Sequence, residues 1–153
     1  MNIERYIVKA KTLRTREWVT GYYYKIAETT HCPIGDCSPV PVHHYILHET
    51  MTDWELPNQM LQYEIDQDTI CQCVGFEDKN KKMIWENDII HCTTIDCEEY
   101  AWQIVWDKEE LGFKATNGKE NYGTEFGYLP CLEDIKIVGN IFDNPELLRG
   151  RIA

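Results

Sequence analysis

Residues 138–148, with the sequence VGNIFDNPELL, decide the fold because they join a predicted strand to a predicted helical turn. The strand is predicted over residues 136–142, where β-branched and aromatic residues are frequent. Asn144 then takes an N-cap position and Pro145 the first helical position. An N–H at that position has no partner within the helix, so proline loses no hydrogen bond there. Glu146 places its charge in the first turn, where the charge favours the helix dipole. The pattern therefore predicts a strand followed by a short helix, with the next two leucines packed against the sheet.

The size and composition predict one globular domain. The chain has 153 residues, of which 43% are hydrophobic and 27% charged, including five Trp, nine Tyr and four Phe. Domains commonly contain roughly 100–150 residues, and aromatic side chains supply large apolar surfaces to bury. We therefore predict a single domain over residues 1–153, with a loop-rich insertion near residues 27–59.

Short apolar runs separated by polar, Gly or Pro residues predict a mainly β fold. Trp102, Ile104 and Trp106 alternate along one run and are predicted to face the core. We expect a small β-barrel or a strongly bent antiparallel sheet with short helical segments, including the C-terminal turn. The predicted strands are residues 5–9, 17–26, 43–47, 61–65, 70–76, 88–94, 101–106, 112–116 and 136–142.

Turn residues separate these strands. Asp78 and Asn80 suit the turn of a hairpin that starts in residues 70–76, since both tolerate positive φ and bond to their own backbone. A second turn is predicted at residues 66–68. Loops are predicted at residues 32–41, which are rich in Pro, at 51–57, where Pro57 argues against a continuing strand, and at 117–127, which contain three Gly.

Acidic residues outnumber basic ones and give a formal charge of −11, from 26 Asp and Glu against 15 Lys and Arg. This charge repels nucleic-acid phosphates and anionic lipid surfaces. Basic clusters occur at Lys9, Lys11, Arg14 and Arg16, at Lys79, Lys81 and Lys82, and at Arg149 and Arg151. We interpret the first two clusters as solvated strand edges. They leave nucleic-acid binding as an alternative, and the acidic surface leaves DNA mimicry as another.

No stretch approaches the roughly 18 consecutive apolar residues that a membrane span needs. Residues 1–11 lack the apolar core and cleavage site of a signal peptide. We therefore expect a cytoplasmic protein with no membrane partner. Seven Cys is an odd number, so complete internal pairing is impossible and reduced thiols are expected.

Two segments carry a resemblance to a known family. The first contains Gly75, Asp78, Trp85, Glu86 and Asp88, and the second contains Gly139, Asn140, Asn144 and Pro145. Together with residues 9–11 and 17–22, they resemble the YopX family of phage and prophage proteins. The pattern of that family has a hairpin of the form Val-Gly-x-x-x-Gly-Leu-x-Asp-x-x-Gly-x-x-Ile-Tyr-Glu-Gly-Asp-Ile-Val and ends near Gly-Asn-Ile-Tyr-Asp-Asn-Pro-Glu-Leu-Leu.

The resemblance implies a small β-rich protein in a phage setting. It implies no activity, so no catalytic residue is carried over. The chain has Lys81 and Asn87 where the family commonly has glycine, and Cys71 and Cys73 in the strand before Gly75.

Thiol and imidazole groups raise a metal site as a hypothesis. Cys32 and Cys37, like Cys92 and Cys97, are separated by four residues, the outer limit of usual structural zinc spacing. If zinc is bound, we expect these two pairs to bind it. We favour the interpretation that strand cysteines are small buried hydrophobes, with no metal and no cofactor. This hypothesis also considers His31, His43, His44, His48, Cys71, Cys73 and His91.

Paired carboxylates raise acid–base catalysis as another hypothesis. Glu86 with Asp88, or Glu98 with Glu99, could supply two carboxyl groups with different pKa values. The position of Asp88 in the family-like motif favours a structural role, in which its carboxylate accepts bonds from backbone N–H groups. The sequence contains no glycine-rich phosphate loop and no nucleophile elbow. We therefore assign no catalytic residues and predict that the protein is not an enzyme.

The leading hypothesis is an uncharacterised phage or prophage accessory protein that acts by protein–protein interaction or self-association. Its aromatic residues then serve the core or an interface. The alternatives are a nucleic-acid-binding or DNA-mimic protein, and a metal-dependent enzyme built on the Cys and His residues. The aromatics in question are Tyr22, Tyr23, Tyr24, Trp54, Trp85, Trp102 and Trp106.

Overall fold

Antiparallel strands form the framework of the described part of the chain. The structure, a computed structural model, describes residues 3–29, 35, 39–93, 99–116, 126–127 and 133–148. The strands form antiparallel pairs, which confirms the mainly β prediction. The chain divides into two compact units. We call residues 6–71 the N-terminal unit, and residues 1–5 with 72–153 the C-terminal unit. The prediction of a single domain stays a prediction.

Four strands of the N-terminal unit pair in the order β4-β3-β2-β1. A 3₁₀ turn at Gln67–Thr69 follows β4, and the Asp66 side chain caps it, which confirms the turn predicted there. Its core contains Ala10, Val19, Ile46 and Ile65. The strands are β1 (Val8–Lys11), β2 (Trp18–Ala27), β3 (Val42–Thr50) and β4 (Gln59–Glu64).

Strand β2 pairs first with β1 and then with β3, and it changes partner at Gly21. Gly21 lies opposite Val8, whereas the next residue, Tyr22, lies opposite Leu47. A Cβ on Gly21 would lie 2.0 Å from the carbonyl oxygen of Leu47, and φ there is +156°. Only glycine has room for this approach.

The two outer strands of this unit meet at one point. Thr12, which follows β1, forms an antiparallel bridge with Ile65, which follows β4. The N–H of Leu13 donates to the carbonyl oxygen of Glu64 at 3.0 Å. The sheet has to curve for these ends to meet. The described strands form no closed barrel, and the barrel therefore stays a prediction.

The C-terminal unit contains a hairpin and a five-stranded sheet. The sheet has the order β10-β9-β8-β7-β11. The hairpin consists of β5 (Cys71–Glu77) and β6 (Met83–Trp85), which confirms the hairpin predicted from Asp78 and Asn80. The sheet strands are β7 (Asp88–Thr93), β8 (Glu99–Asp107), β9 (Gly112–Thr116), β10 (Phe126–Gly127) and β11 (Glu133–Asn140).

The core of the C-terminal unit draws on both the hairpin and the sheet. Trp102 and Ile104 of β8 are buried, as their alternation predicts. The prediction for Trp106 is wrong, because that side chain lies near the end of β8, exposed and packed edge-on against Phe113 at 5.0 Å. The buried core residues are Ile84, Ile90, Cys92, Trp102, Ile104, Ala115 and Ile135.

The last strand ends earlier than predicted. Strand β11 stops at Asn140, where the chain turns. The side-chain oxygen of Asn140 accepts from the N–H groups of Phe142 and Asp143 at 3.0 and 2.9 Å, and these bonds form the turn. The predicted helical turn is confirmed as a 3₁₀ helix at Pro145–Leu148. Its two leucines are half-buried.

Other differences lie nearer the N-terminus. Residues 5–9 are not one strand, since a 3₁₀ helix occupies Ile3–Tyr6 and leaves Tyr6 exposed. The strand in this region begins only at Val8. Strand β3 occupies residues 42–50 of the predicted insertion, longer than the strand predicted at 43–47. Residues 117–125 of the predicted loop lie outside the described residues. In the described part of the chain, the helices are too short to cross a membrane.

Candidate interaction surface

The motif turn at Asp78 has a structural role. Its buried carboxylate accepts from the N–H of Asn80 at 2.8 Å, of Lys82 at 2.9 Å and of Ile137 at 3.2 Å. Burial raises the pKa of Asp78, but the bonds from Lys82, Ile137 and Asn80 outweigh it and lower that pKa. Asp78 therefore ties the hairpin to β11 as a carboxylate.

The second motif turn lies between β6 and β7. Asp88 is buried, and its Oδ2 accepts from the N–H of Trp85 at 2.9 Å, which confirms the predicted structural role. Glu86 lies at the turn, with an oxygen 3.4 Å from the N–H of Gln72. Asn87 between them has φ of 66°. The pair Glu86 and Asp88 is thus engaged with backbone, whereas Glu98 and the side chain of Glu99 lie outside the described residues.

The remaining motif residues pack the chain terminus. A Cβ on Gly139 would lie 2.5 Å from Oδ1 of Asn144 and 2.9 Å from Cδ1 of Leu147, so a larger residue would force the side chains of the final turn to move. The N–H of Leu147 donates to the carbonyl oxygen of Asn144 at 3.1 Å, with Pro145 at the first position of the turn. In the hairpin, Gly75 has φ of 78°, within the register shift of β5.

The described cysteines are buried thiols. Burial raises the pKa of Cys92 to about 11 and is the largest effect raising that of Cys73. Such groups stay protonated at neutral pH and are poor metal ligands. Cys32, Cys37 and Cys97 lie outside the described residues, and no set of three His, Cys, Asp or Glu side chains within those residues is placed to hold a metal ion.

A buried lysine is a candidate catalytic group that the sequence did not reveal. Nζ of Lys114 lies 2.7 Å from Oδ2 of Asp107 and 3.0 Å from Oε1 of Glu110. The bond to Asp107 raises the pKa of Lys114, and the same bond lowers that of Asp107 to about 2. A catalytic lysine needs a lowered pKa, so this group acts as a structural ion pair.

The first basic cluster is engaged within the N-terminal unit. Nζ of Lys9 and Nζ of Lys11 lie 5.1 and 5.4 Å from the centroid of the Trp18 ring, within cation–π range. Arg16 bonds Asp66 at 2.6 Å. Lys79, Lys81 and Lys82 are exposed around the hairpin turn, as predicted for solvated charges.

Aromatic side chains cover part of the N-terminal sheet, which we call the aromatic sheet: residues 22–27 of β2 with β3 and β4. Tyr24 stacks on Tyr45 directly across the strands, with ring centroids 5.3 Å apart. Tyr23 stacks on His44 at 5.9 Å, and its hydroxyl oxygen lies 2.8 Å from Nδ1 of that ring. Cross-strand ring pairs of this kind stabilise a sheet and limit side-chain motion.

Both faces of the aromatic sheet expose large apolar side chains. Residues opposite in register share a face, as do alternate residues along a strand. Six such side chains are between 38% and 55% exposed. One face carries Tyr22, Ile26 and Met60, and the other carries Tyr23, Val42 and Leu61.

His43 links three elements of the same sheet. Its Nδ1 lies 2.6 Å from a Glu64 oxygen and its Nε2 lies 2.9 Å from a Glu28 oxygen. A carboxylate only accepts, so both ring nitrogens donate to these carboxylates when the ring is protonated. The bonds that the ring donates to Glu64 and, to a lesser extent, to Glu28 raise the pKa of His43. Sequence alone could not find this cluster, because it depends on the strand register.

The β3–β4 connection presents three further apolar side chains. We call residues 51–56 the hairpin tip. Met51 is 86% exposed, Trp54 94% and Leu56 59%. The prediction of a loop here is confirmed, and Trp54 lies outside the core.

The family match covers these features. The YopX protein family matches residues 16–149. The chain belongs to the YopX family. The match spans β2 and the rest of the aromatic sheet, the hairpin tip and both motif turns of this YopX protein.

One solved structure resembles this YopX protein in fold. The crystal structure of protein EF1440 from Enterococcus faecalis aligns with a TM-score of 0.51 at 16% identity, over 92% of this chain and 96% of that one. No curated protein matches the chain. At such low identity the likeness shows the fold alone.

Proposed function

We propose that this YopX protein is a non-enzymatic accessory protein of a phage or prophage, which acts in the host cytoplasm by binding a protein or a second copy of itself. The observation that carries the proposal is the aromatic sheet, which exposes apolar side chains on both faces. A monomeric sheet normally buries one face and keeps the other polar. Contiguous apolar surface usually marks an interface.

The charged groups support binding over catalysis. Asp78 and Asp88 are held by backbone N–H groups, Lys114 by two carboxylates, and Cys73 and Cys92 are buried. Each of these groups serves the fold of the described residues. Membership of the YopX family supports the phage setting of this proposal.

The proposal is tested on one face of the aromatic sheet. We expect the protein to elute as an oligomer in size-exclusion chromatography with light scattering, or to retain a protein from a lysate of the bacterium that encodes it. Replacing Ile26 and Met60 by Ser should abolish that association, since it removes exposed apolar area without entering a core. The matched control is Leu111→Ser, an exposed leucine in the C-terminal unit. A strict monomer that retains no protein would refute the proposal.

A further inference from the structure

We infer that the hairpin tip is the anchor of this interaction, and that Trp54 inserts into an apolar pocket with a basic rim on a partner protein. The inference rests on the proposed function and names the element and the partner chemistry. Trp54 is the most exposed of the described large hydrophobic side chains, with Met51 next. Trp is the residue most enriched among interface side chains that dominate binding.

Hydrogen bonds within the tip and at its base restrain its conformation. The hydroxyl of Thr52 donates to the carbonyl oxygen of Pro57 at 2.8 Å. The N–H of Leu56 donates to the carbonyl oxygen of Asp53 at 3.1 Å. Glu55 adopts φ of 68° at the turn. At its base, Asn58 donates to Glu49 at 2.9 Å. A loop ordered before binding loses less conformational entropy when it docks, so its apolar side chains contribute more to affinity.

The charges around the tip determine the kind of partner. Glu49, Asp53 and Glu55 are exposed, and residues 49–58 contain no Lys or Arg. A pocket rimmed by Lys or Arg complements this arrangement. Nucleic acids and anionic lipids are negatively charged, as the tip is, so the tip repels them. A second copy is also disfavoured, because each chain carries a net charge of −11.

The experiment places a photo-crosslinking amino acid at Leu56 of the full chain and irradiates a lysate of the encoding bacterium. Crosslinked peptides are then mapped by mass spectrometry. We expect one partner, crosslinked at an apolar pocket flanked by Lys or Arg. With that purified partner, Trp54→Ala should bind at least about tenfold more weakly, and Trp54→Phe should retain part of the affinity. Asp53→Asn with Glu55→Gln should weaken binding and flatten its salt dependence.

The outcomes separate the tip from the sheet. Trp54 is almost fully exposed, so its replacement should leave the melting temperature unchanged, and Leu111→Ala is the matched control. The inference is overturned if the partner binds the Trp54→Ala variant as tightly as wild type but no longer binds the double variant Ile26→Ser with Met60→Ser. That result leaves the proposed function standing. Crosslinks to a second copy, or to anionic vesicles, also overturn the inference. An oligomer that retains no other protein overturns this inference alone, and a strict monomer that retains no protein overturns both.

Discussion

At the scale of single residues, Lys81 and Asn87 explain why glycine is common at their positions in the YopX pattern. Their φ angles are 62° and 66°, in the left-handed region that side chains disfavour. Asn tolerates this region better than Lys does, and Oδ1 of Asn87 also accepts from Nε2 of Gln103 at 3.1 Å. The chain therefore stores more strain at Lys81.

Replacing Lys81 by Gly should stabilise the protein. Relief of the left-handed strain exceeds the backbone entropy that glycine adds to the unfolded chain, so we expect a gain of about 0.5–1 kcal/mol in the free energy of unfolding. Urea denaturation measures it. Lys79→Gly is the matched control, because Lys79 is exposed in the same turn without positive φ and should lose stability. Equal effects of the two changes would contradict the explanation.

His43 makes stability depend on pH. Its pKa is raised from 6.5 in the folded protein. A raised pKa means that the folded state binds the proton more tightly, so this stabilisation is complete below pH 6.5 and is lost as pH rises through the folded pKa. The melting temperature of wild type should therefore exceed that of His43→Gln most in mildly acidic buffer, and the difference should shrink toward pH 8. Glu64→Gln should weaken this dependence, and a difference that grows with pH would count against it.

At the scale of elements, the turn at Asp78 decides how the hairpin joins β11. Its carboxylate satisfies the N–H groups of Asn80, Lys82 and Ile137. Leaving buried donors unpaired costs about 1–3 kcal/mol. We expect Asp78→Ala to lose at least that much stability in urea denaturation, with Asp78→Asn losing less. Asp68→Ala, at an exposed carboxylate, should be nearly neutral.

The same turn has a pH signature of opposite sign. The pKa of Asp78 is lowered from 3.8, so its stabilisation is present above that value and is lost as pH falls through the lower folded pKa. Wild type and Asp78→Asn are compared at urea concentrations that give them equal stability at neutral pH. Acid unfolding of wild type should then begin at higher pH than acid unfolding of Asp78→Asn, because only wild type loses this stabilisation in acid. Identical acid midpoints would show that another carboxylate controls the transition.

Gly21 tests the change of partner within β2. A Cβ there meets the backbone of Leu47, whereas a Cβ on Gly112 meets only Glu110 at 3.9 Å. We expect Gly21→Ala to cost about 2 kcal/mol or more and Gly112→Ala to be nearly neutral. Loss of far-ultraviolet β signal or a lower urea midpoint would register the change. A neutral Gly21→Ala would mean that β3 can move away from β2.

Elements with strong local signals could be predicted from sequence, and those that depend on distant partners could not. Residues 112–116 coincide with β9, and Asn144 with Pro145 marked the final turn, because turn and strand signals are local. Trp106 has the same alternation as Trp102, but only the end of the strand decides that it is exposed. To predict the contacts of His43, one has to know the register of β3 against β4, and no local pattern encodes that register.

At the scale of the whole molecule, net charge decides between the proposed function and nucleic-acid binding. The charge of −11 repels phosphates, and two cations of the first basic cluster, Lys9 and Lys11, already lie over the Trp18 ring. Single-strand binders combine aromatic platforms with a positive groove. The aromatic sheet instead carries Glu28 and Glu64 around His43. Its stacked rings therefore suit a protein surface better than a polyanion.

We therefore expect no binding of single- or double-stranded DNA in a fluorescence-anisotropy titration at low salt, where phosphate contacts are strongest. Protonation of His43 in mildly acidic buffer should not change that result, because the added charge is matched by two carboxylates. A basic DNA-binding protein serves as the positive control. Binding that weakens steeply with salt and disappears in Lys9→Glu with Lys11→Glu would reverse the argument, since it would show that these cations leave Trp18 to contact phosphate.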